Sequence, residues 1–243
     1  MEQRSKTKRI WEIDFLRGLL IPGMILIHIV YDVTVLYRFV DWTWPDWYVL
    51  LQYNYGALFV ALSGVSVTLG SRSVRRGLVV LGCGMICTAV TALMYLLGMA
   101  DRGIVIYFGV LHCIGVCMLL WTVLRKCPVW LLAVLGLAMA VLGQYLRYQT
   151  FDFPWLLPLG FQFSGFASSD YFPLLPNLGY FLLGSAVGRS LYRAKRTRFP
   201  RVDETRLPIR TLCFWGRHSL MIYLLHQPVL ALVCEGIVWM RKL

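Results

Sequence analysis

Long apolar stretches constrain this chain more than any other feature. Several of them approach the ~20 residues that an α-helix needs to cross the hydrocarbon core of a bilayer. Hydrophobic residues make up 58% of the chain and charged residues only 15%. A soluble domain of this length has too little interior to bury so much apolar surface. The sequence therefore predicts an all-α, polytopic integral membrane helix bundle.

Seven transmembrane helices account for the apolar stretches. We expect them at residues 12–33, 50–70, 77–99, 103–123, 128–147, 171–191 and 212–239, within a single transmembrane domain that covers residues 1–243. Residues 148–170 are also apolar, but Pro154, Pro158 and Gly160 interrupt them. That segment is expected not to span, and to be re-entrant or interfacial with its backbone covered by protein.

The basic residues predict the orientation. In a soluble protein the net charge of +12 would raise the question of nucleic acid. Here most Lys and Arg residues fall in four short regions, at 4–9, 72–76, 125–126 and 189–210, which the predicted helices place on one side of the membrane. The positive-inside rule makes that side cytoplasmic. We therefore expect a cytoplasmic N-terminus, a multi-pass protein of the bacterial inner membrane, and no nucleic-acid partner.

The cysteines do not indicate a metal site. Cys83 and Cys87, like Cys113 and Cys117, are four residues apart and share a helix face. Buried cysteine commonly behaves as a small apolar side chain, although a metal or redox pair stays an alternative. His28 and Asp32 alone cannot complete a zinc site, so we expect no metal.

The first helix carries most of the candidate chemistry, because ionisable groups inside a membrane are costly and are usually functional. His28 and Asp32 are four residues apart on one face. We expect Asp32 to hold one imidazole N–H and leave the other nitrogen of His28 as a general base. Arg17 lies about 16 Å nearer the cytoplasm. This arrangement suits an anionic donor entering from inside and an acceptor arriving from outside.

Two further candidates have structural alternatives. His112 in the fourth helix is either a catalytic group that stabilises a developing oxyanion or a contact to a neighbouring helix. Asp170 either orients an acceptor hydroxyl or amine, or favours the dipole in the first turn of the sixth helix. In the second case Ser168 or Ser169 is the N-cap.

The last helix and the first outer loop supply the remaining candidates. Arg217 and His218 are expected near the cytoplasmic end, where they can meet phosphates. His226 is expected deeper, before a helix-breaking Pro228. Trp44 belongs to an aromatic cluster in the outer loop. That cluster is either an interfacial belt or a surface on which a sugar stacks, and the two roles are compatible.

Seven short stretches along the chain form a recognisable series. They are Ile13-Asp14-Phe15-Leu16-Arg17-Gly18, His28-Ile29-Val30-Tyr31-Asp32, Leu62-Ser63-Gly64-Val65-Ser66, Phe108-Gly109-Val110-Leu111-His112-Cys113-Ile114-Gly115, Asp170-Tyr171-Phe172-Pro173-Leu174-Leu175-Pro176, Gly216-Arg217-His218-Ser219-Leu220 and Leu225-His226-Gln227-Pro228. Taken together in order, they resemble the heparan-α-glucosaminide N-acetyltransferase-like family in its short bacterial form. That family is related to the integral-membrane acyltransferases of the acyltransferase-three family. Their signature, an Arg, ten residues and then a His on the first core helix, is similar to Arg17 through His28.

The resemblance implies a membrane acetyltransferase. Its donor would be acetyl-CoA bound from the cytoplasm, its acceptor a sugar or glycan amine or hydroxyl on the far side, and Arg17 and His28 its functional pair. The lysosomal enzyme of the family has a functional histidine shortly after the first core helix, whereas residues 34–49 here contain none. The resemblance therefore carries no acetyl-histidine intermediate to that place. The lipid bilayer is the third expected partner, and a homodimer is left open.

Two other functions compete with the enzyme. Intramembrane His and Asp side chains relay protons in transporters, although no inverted repeat is visible in this sequence. A non-catalytic membrane scaffold is the third alternative. It predicts that Arg17, His28 and Asp32 can be replaced without loss of function.

Overall fold

The computed structural model describes residues 10–241, and 71% of these residues are helical. Two strands of two residues each, β1 (Thr150–Phe151) and β2 (Gln162–Phe163), pair in parallel. The α-helices are α1 (Trp11–Tyr31), α2 (Asp46–Leu69), α3 (Ser73–Leu96), α4 (Val110–Leu124), α5 (Val129–Leu146), α6 (Leu174–Leu191), α7 (Leu207–Arg217) and α8 (Ser219–Met240). The predicted all-α class is confirmed.

Five helical segments in the described chain are long and apolar enough to cross a bilayer. They are Trp11–Leu36, which joins α1 to a short π-helix, and helices α2, α3, α5 and α8. Helix α4 is apolar but has only 15 residues. These helices indicate a multi-pass membrane protein. The count of seven spans and the cytoplasmic N-terminus stay predictions.

The chain divides into two compact units. The terminal unit comprises the chain up to Tyr55 together with the chain from Ala194 onward, and the central unit is Gly56–Arg193. In the terminal unit α1 packs mainly against α7 and also against α8. In the central unit the main helix pairs are α5 with α6 and α3 with α4. The single domain expected over residues 1–243 stays a prediction.

Helices α1 and α7 cross at two glycines. A Cβ atom on Gly18 would overlap the carbonyl oxygen of Leu212, and one on Gly216 would overlap the carbonyl oxygen of Asp14. Small residues allow helix backbones to approach closely where lipid supplies no hydrophobic drive between helices. Gly18 directly follows Arg17, and Gly216 directly precedes Arg217. The crossing therefore also positions both arginines.

Helix α4 begins later than predicted. The sequence placed its start near residue 103, whereas the structure begins it at Val110. The preceding backbone is engaged elsewhere: Ser169 Oγ donates to the carbonyl of Ile104 at 2.6 Å, and the N–H of Phe172 donates to the carbonyl of Phe108 at 2.8 Å. These tertiary hydrogen bonds satisfy backbone groups that a longer helix would have used.

The prediction that Asp170 lies in the first turn of the sixth helix, with a neighbouring serine as its N-cap, is wrong. Helix α6 begins at Leu174 rather than 171, so Asp170 lies outside its first turn. Ser168 and Ser169 donate to carbonyl groups of the 104–105 segment instead of capping α6. Leu175 has non-helical φ and ψ, because the residue before a proline disfavours the α conformation.

The predicted helix 212–239 is two helices. His218 adopts φ −102° and ψ 15° and separates α7 from α8. Helix α8 then continues through Pro228 to Met240, so Pro228 does not break it. Residues 148–170 contain no helix long enough to span, as expected. Their position relative to the bilayer stays a prediction.

Candidate active site

Helix α1 changes its winding just after His28. Residues Asp32–Leu36 form a π-helix, in which the N–H of Tyr37 donates to the carbonyl of Asp32 at 2.8 Å. Single π-turns are rare and are frequent at functional sites. Asp32 opens this turn with only 1% of its surface exposed. The local winding thus buries a carboxylate one turn beyond His28.

His28 is oriented by its own helix. Its Nδ1 atom lies 2.8 Å from the carbonyl oxygen of Met24. A carbonyl only accepts hydrogen bonds, so Nδ1 carries the proton and Nε2 of the neutral ring holds the lone pair. The sequence assigned this orienting role to Asp32, but the backbone of Met24 performs it. The expected consequence, a free basic nitrogen, is unchanged.

Asp32 has a different partner from the one expected. The side-chain nitrogen of Gln227 donates to both carboxylate oxygens, at 2.8 and 3.0 Å. Sequence reasoning did not select Gln227. The signal for it was a polar amide beside His226 in an apolar helix, where a side chain of that kind needs a partner.

The same part of α8 brings a second histidine to His28. The ring centroids of His28 and His226 are 4.5 Å apart and the rings are nearly perpendicular, at 79°. His226 Nδ1 donates to the carbonyl of Tyr223, so its Nε2 also holds a lone pair. That Nε2 atom and Gln227 Oε1 are buried without a hydrogen-bond partner among the described residues. His226, expected among the donor-binding residues, lies beside the expected base.

Arg17 and Arg217, two of the residues expected to bind the donor, lie next to the glycines of the α1–α7 crossing. Arg17 Nη1 is 3.4 Å from Asp14 Oδ1. Arg217 lines a cleft of about 420 Å³. The other lining residues are Trp11, Asp14, Glu204, Thr205, Arg210 and Cys213. His218 Nδ1 donates to the carbonyl of Phe214 at the α7–α8 junction. Burial raises the pKa of the Cys213 thiol, and the nearby charge of Asp14 adds to the shift.

Trp44 is held in place by the end of the first helical segment. Its indole N–H donates to Thr34 Oγ1 at 3.0 Å. Its ring also lies 6.4 Å from that of Tyr31 and 5.6 Å from that of Tyr48. Trp42 and Trp47 in the same loop are 41% and 65% exposed. The cluster therefore combines a fixed indole with exposed aromatic faces, which fits both roles expected for it.

His112 and Asp170 come together in the central unit. Asp170 Oδ2 accepts from the N–H of Val110, the first residue of α4, at 3.1 Å. His112 Nδ1 accepts from the N–H of Gly109, and its Nε2 donates to Thr88 Oγ1, each at 3.2 Å. Both ring nitrogens of His112 are thus engaged. This geometry favours the structural alternative for His112, and it places Asp170 at the start of α4.

The described residues include no set of three or more His, Cys, Asp or Glu side chains arranged to hold a metal ion. All seven cysteines are free thiols. Cys113 and Cys117 share a face as expected, with 4.0 Å between their sulfur atoms.

Comparison with known protein families identifies the family of the chain. The family described as heparan-alpha-glucosaminide N-acetyltransferase, catalytic, matches residues 9–228. The chain belongs to this family. A search of curated proteins and a search of solved structures each found no match.

Family membership agrees with the predicted resemblance and indicates a membrane acetyltransferase. The matched range contains all the residues grouped in the terminal unit around His28 and the α1–α7 crossing, and also His112 and Asp170. The roles of individual residues stay predictions.

Proposed function

We propose that the chain transfers an acetyl group from cytoplasmic acetyl-CoA to an amine or hydroxyl of a sugar-like acceptor at the opposite face of the membrane. The observation that carries the proposal is the 2.8 Å contact between His28 Nδ1 and the carbonyl oxygen of Met24. The Nδ1–H of His28 is committed to that carbonyl. This leaves a basic Nε2 in a membrane-spanning segment of a family of acetyltransferases.

In this mechanism His28 is the general base. Nε2 takes the proton from the acceptor amine or hydroxyl as that group attacks the thioester carbonyl. The carbon–sulfur bond then breaks, and the imidazolium returns its proton to the departing CoA thiolate. The net reaction moves one acetyl group and leaves the enzyme unchanged. The buried Asp32 carboxylate stabilises the imidazolium while it exists, because opposite charges interact strongly away from water.

Arg17, Arg217 and His218 are proposed to hold the donor phosphates. The two arginines flank the α1–α7 crossing, and Arg217 lines the cleft there. Guanidinium groups suit phosphate because they donate two parallel charge-assisted hydrogen bonds. His226, adjacent to His28, is proposed to contact the thioester end of the donor. His28 lies eleven positions after Arg17, about 16 Å along the helix. An extended cofactor can bridge this distance.

Trp44 is proposed to meet the acceptor, and the role of Asp170, in the central unit, in orienting an acceptor stays a prediction from the sequence. The aromatic faces around Trp44 suit the apolar face of a sugar ring, and a carboxylate can orient its hydroxyl or amine groups. His112 stays a candidate for stabilising the oxyanion. For that role, the Nε2–H group of His112 would have to give up its hydrogen bond to Thr88 Oγ1.

Donor binding is the first test. Acetyl-CoA is titrated calorimetrically into purified protein in detergent, for the wild type and for Arg17→Ala. Micromolar binding that weakens at least about tenfold in the variant, as expected for a lost charge-assisted bond, supports the donor site. Arg102→Ala is a matched control, since Arg102 is an exposed arginine that the proposal does not use. Absence of binding in folded wild-type protein would overturn the proposal.

Transfer is the second test. With radiolabelled acetyl-CoA and amino-sugar or glycan acceptors, His28→Ala should lower kcat by about 10²–10⁴-fold while the protein stays folded. Full activity in His28→Ala would remove His28 as the base. Proton-coupled uptake by proteoliposomes without acyl-CoA would instead favour the transporter alternative.

A further inference from the structure

The contact between Gln227 and Asp32 connects α8 to the π-turn at the end of α1. Both carboxylate oxygens of Asp32 accept from Gln227 Nε2, at 2.8 and 3.0 Å. Within residues 10–241, no Lys or Arg side chain forms an ion pair with Asp32. A carboxylate that is 1% exposed therefore depends on one neutral amide for its direct hydrogen bonds. A buried charge with so little support moves or changes protonation easily when that support is removed.

The contact of Gln227 lies next to the contact that His226 makes. His226 and Gln227 are consecutive, and each makes a contact to the end of α1, His226 to the ring of His28 and Gln227 to Asp32. Two consecutive residues of α8 therefore contact two residues, His28 and Asp32, that are four positions apart at the end of the first helical segment. Pro228 follows at once and lacks the N–H that would bond to the preceding turn. The backbone of α8 therefore has one helical hydrogen bond fewer at this point, and the side-chain contact adds to the positioning.

The polarity of the cluster shows what Gln227 contributes. Its amide nitrogen supplies donors, whereas Nε2 of His28, Nε2 of His226 and the Asp32 carboxylate all accept. Gln227 is the side chain that donates to Asp32, and a carboxylate held at both oxygens cannot rotate away. We propose that Gln227 is a positioning residue of the acetyl transfer, which acts by fixing the Asp32 carboxylate beside His28.

This proposal rests on the proposed function, because it assigns Gln227 a part in the same reaction. It goes beyond that function by naming how the charge that stabilises the imidazolium of His28 is kept in place. The expected signature is a loss in kcat with little change in the KM for acetyl-CoA, since Gln227 does not meet the donor phosphates.

The test is a double-mutant cycle between positions 32 and 227, measured as kcat for acetyl transfer. Gln227→Met keeps the volume and removes the donor, and its kcat should fall by about 10²-fold, as misplaced catalytic groups do. In the Asp32→Asn background the same replacement should cost little further, because the carboxylate it positions is gone. Additive losses, or an unchanged kcat in Gln227→Met, would overturn the proposal.

A matched control separates positioning from general stability. Gln144→Leu in α5 removes another glutamine donor, whose Nε2 lies 2.7 Å from the hydroxyl of Tyr180 in the central unit. It should lower the melting temperature and leave kcat unchanged. If Gln227→Met yields too little folded protein, Gln227→Asn keeps the amide one methylene shorter. Its kcat must then fall while its melting temperature stays near that of the wild type, and full kcat would contradict the proposal.

The two proposals can fail separately. Wild-type protein that neither binds acetyl-CoA nor transfers acetyl groups overturns the proposed function. An active wild type with an active Gln227→Met variant overturns only the role of Gln227.

Discussion

The backbone N–H of Arg198 donates a 2.7 Å hydrogen bond to the carboxylate of Glu12, at the start of α1. Thr197 Oγ1 donates to the same carboxylate, with distances of 2.9 and 3.1 Å to its two oxygens. Glu12 is only 4% exposed. The basic segment that leads into α7 is therefore tied to α1 by an acidic side chain, in addition to the glycine crossing of the two helices.

Removal of the Glu12 carboxylate should destabilise this connection. Glu12→Ala leaves the N–H of Arg198 and the hydroxyl of Thr197 without their acceptor. Thr197 is half-buried and Arg198 is exposed, so water can replace part of the contact and the cost should be about 0.5–1.5 kcal/mol. We expect a lower melting temperature in detergent, with a smaller decrease for Glu12→Gln, which keeps one acceptor oxygen. Asp152→Ala is the control, since Asp152 is exposed. Equal melting temperatures for Glu12→Ala and the control would show that the contact does not stabilise the fold.

The crossing of α1 and α7 predicts a strong size limit at Gly18. A methyl group there would overlap the carbonyl oxygen of Leu212, and overpacking of this kind costs about 1–3 kcal/mol or more. Gly18→Ala should therefore lower the melting temperature and weaken acetyl-CoA binding, because Arg17 moves with the crossing. Gly236→Ala in α8 is the matched control, since a methyl group there would meet no neighbouring side chain or helix of the described chain within 4 Å. A Gly18→Ala protein as stable as Gly236→Ala would exclude close backbone packing at this point.

The histidines His28 and His112 should respond differently to replacement. Both ring nitrogens of His112 are engaged, with Gly109 and Thr88, whereas His28 keeps Nε2 for chemistry. His112→Ala should mainly lower stability, by about 1–3 kcal/mol, and His28→Ala should mainly lower kcat. Melting temperature and single-turnover rate measured side by side would distinguish them. A stable but inactive His112→Ala variant would show that His112 takes part in the reaction.

The thiol of Cys213 should react slowly with alkylating reagents near neutral pH. Its pKa is raised by burial and by the charge of Asp14, and only the thiolate is nucleophilic. Its alkylation rate should therefore rise at a higher pH than that of an ordinary thiol. The comparison is Cys127, which is half-exposed in the loop before α5. Peptide mass spectrometry across a pH series measures both rates, and equal pH dependence would contradict the prediction.

The sequence predicted the membrane class and most of the helices for one physical reason. Lipid imposes length and polarity on each spanning segment separately, so these features can be read locally. It missed the late start of α4 and the separation of α7 from α8. In the first case the backbone forms hydrogen bonds with a segment more than 60 residues away, such as that of Ser169 with Ile104. Local pattern carries no information on such a partner.

The candidate site likewise combines residues that the sequence identifies with contacts that only the tertiary structure shows. His28 and Asp32 were selected because ionisable groups are rare within an apolar helix, and a single stretch of sequence shows that. Only the tertiary structure decided that Asp32 is held by Gln227, 195 residues away, and that His226 lies against His28. Hydrogen bonds and ring contacts depend on where the helices cross. Close packing at Gly18 and Gly216 fixes where α1 crosses α7, the helix directly before α8, and the composition of one helix does not show this packing.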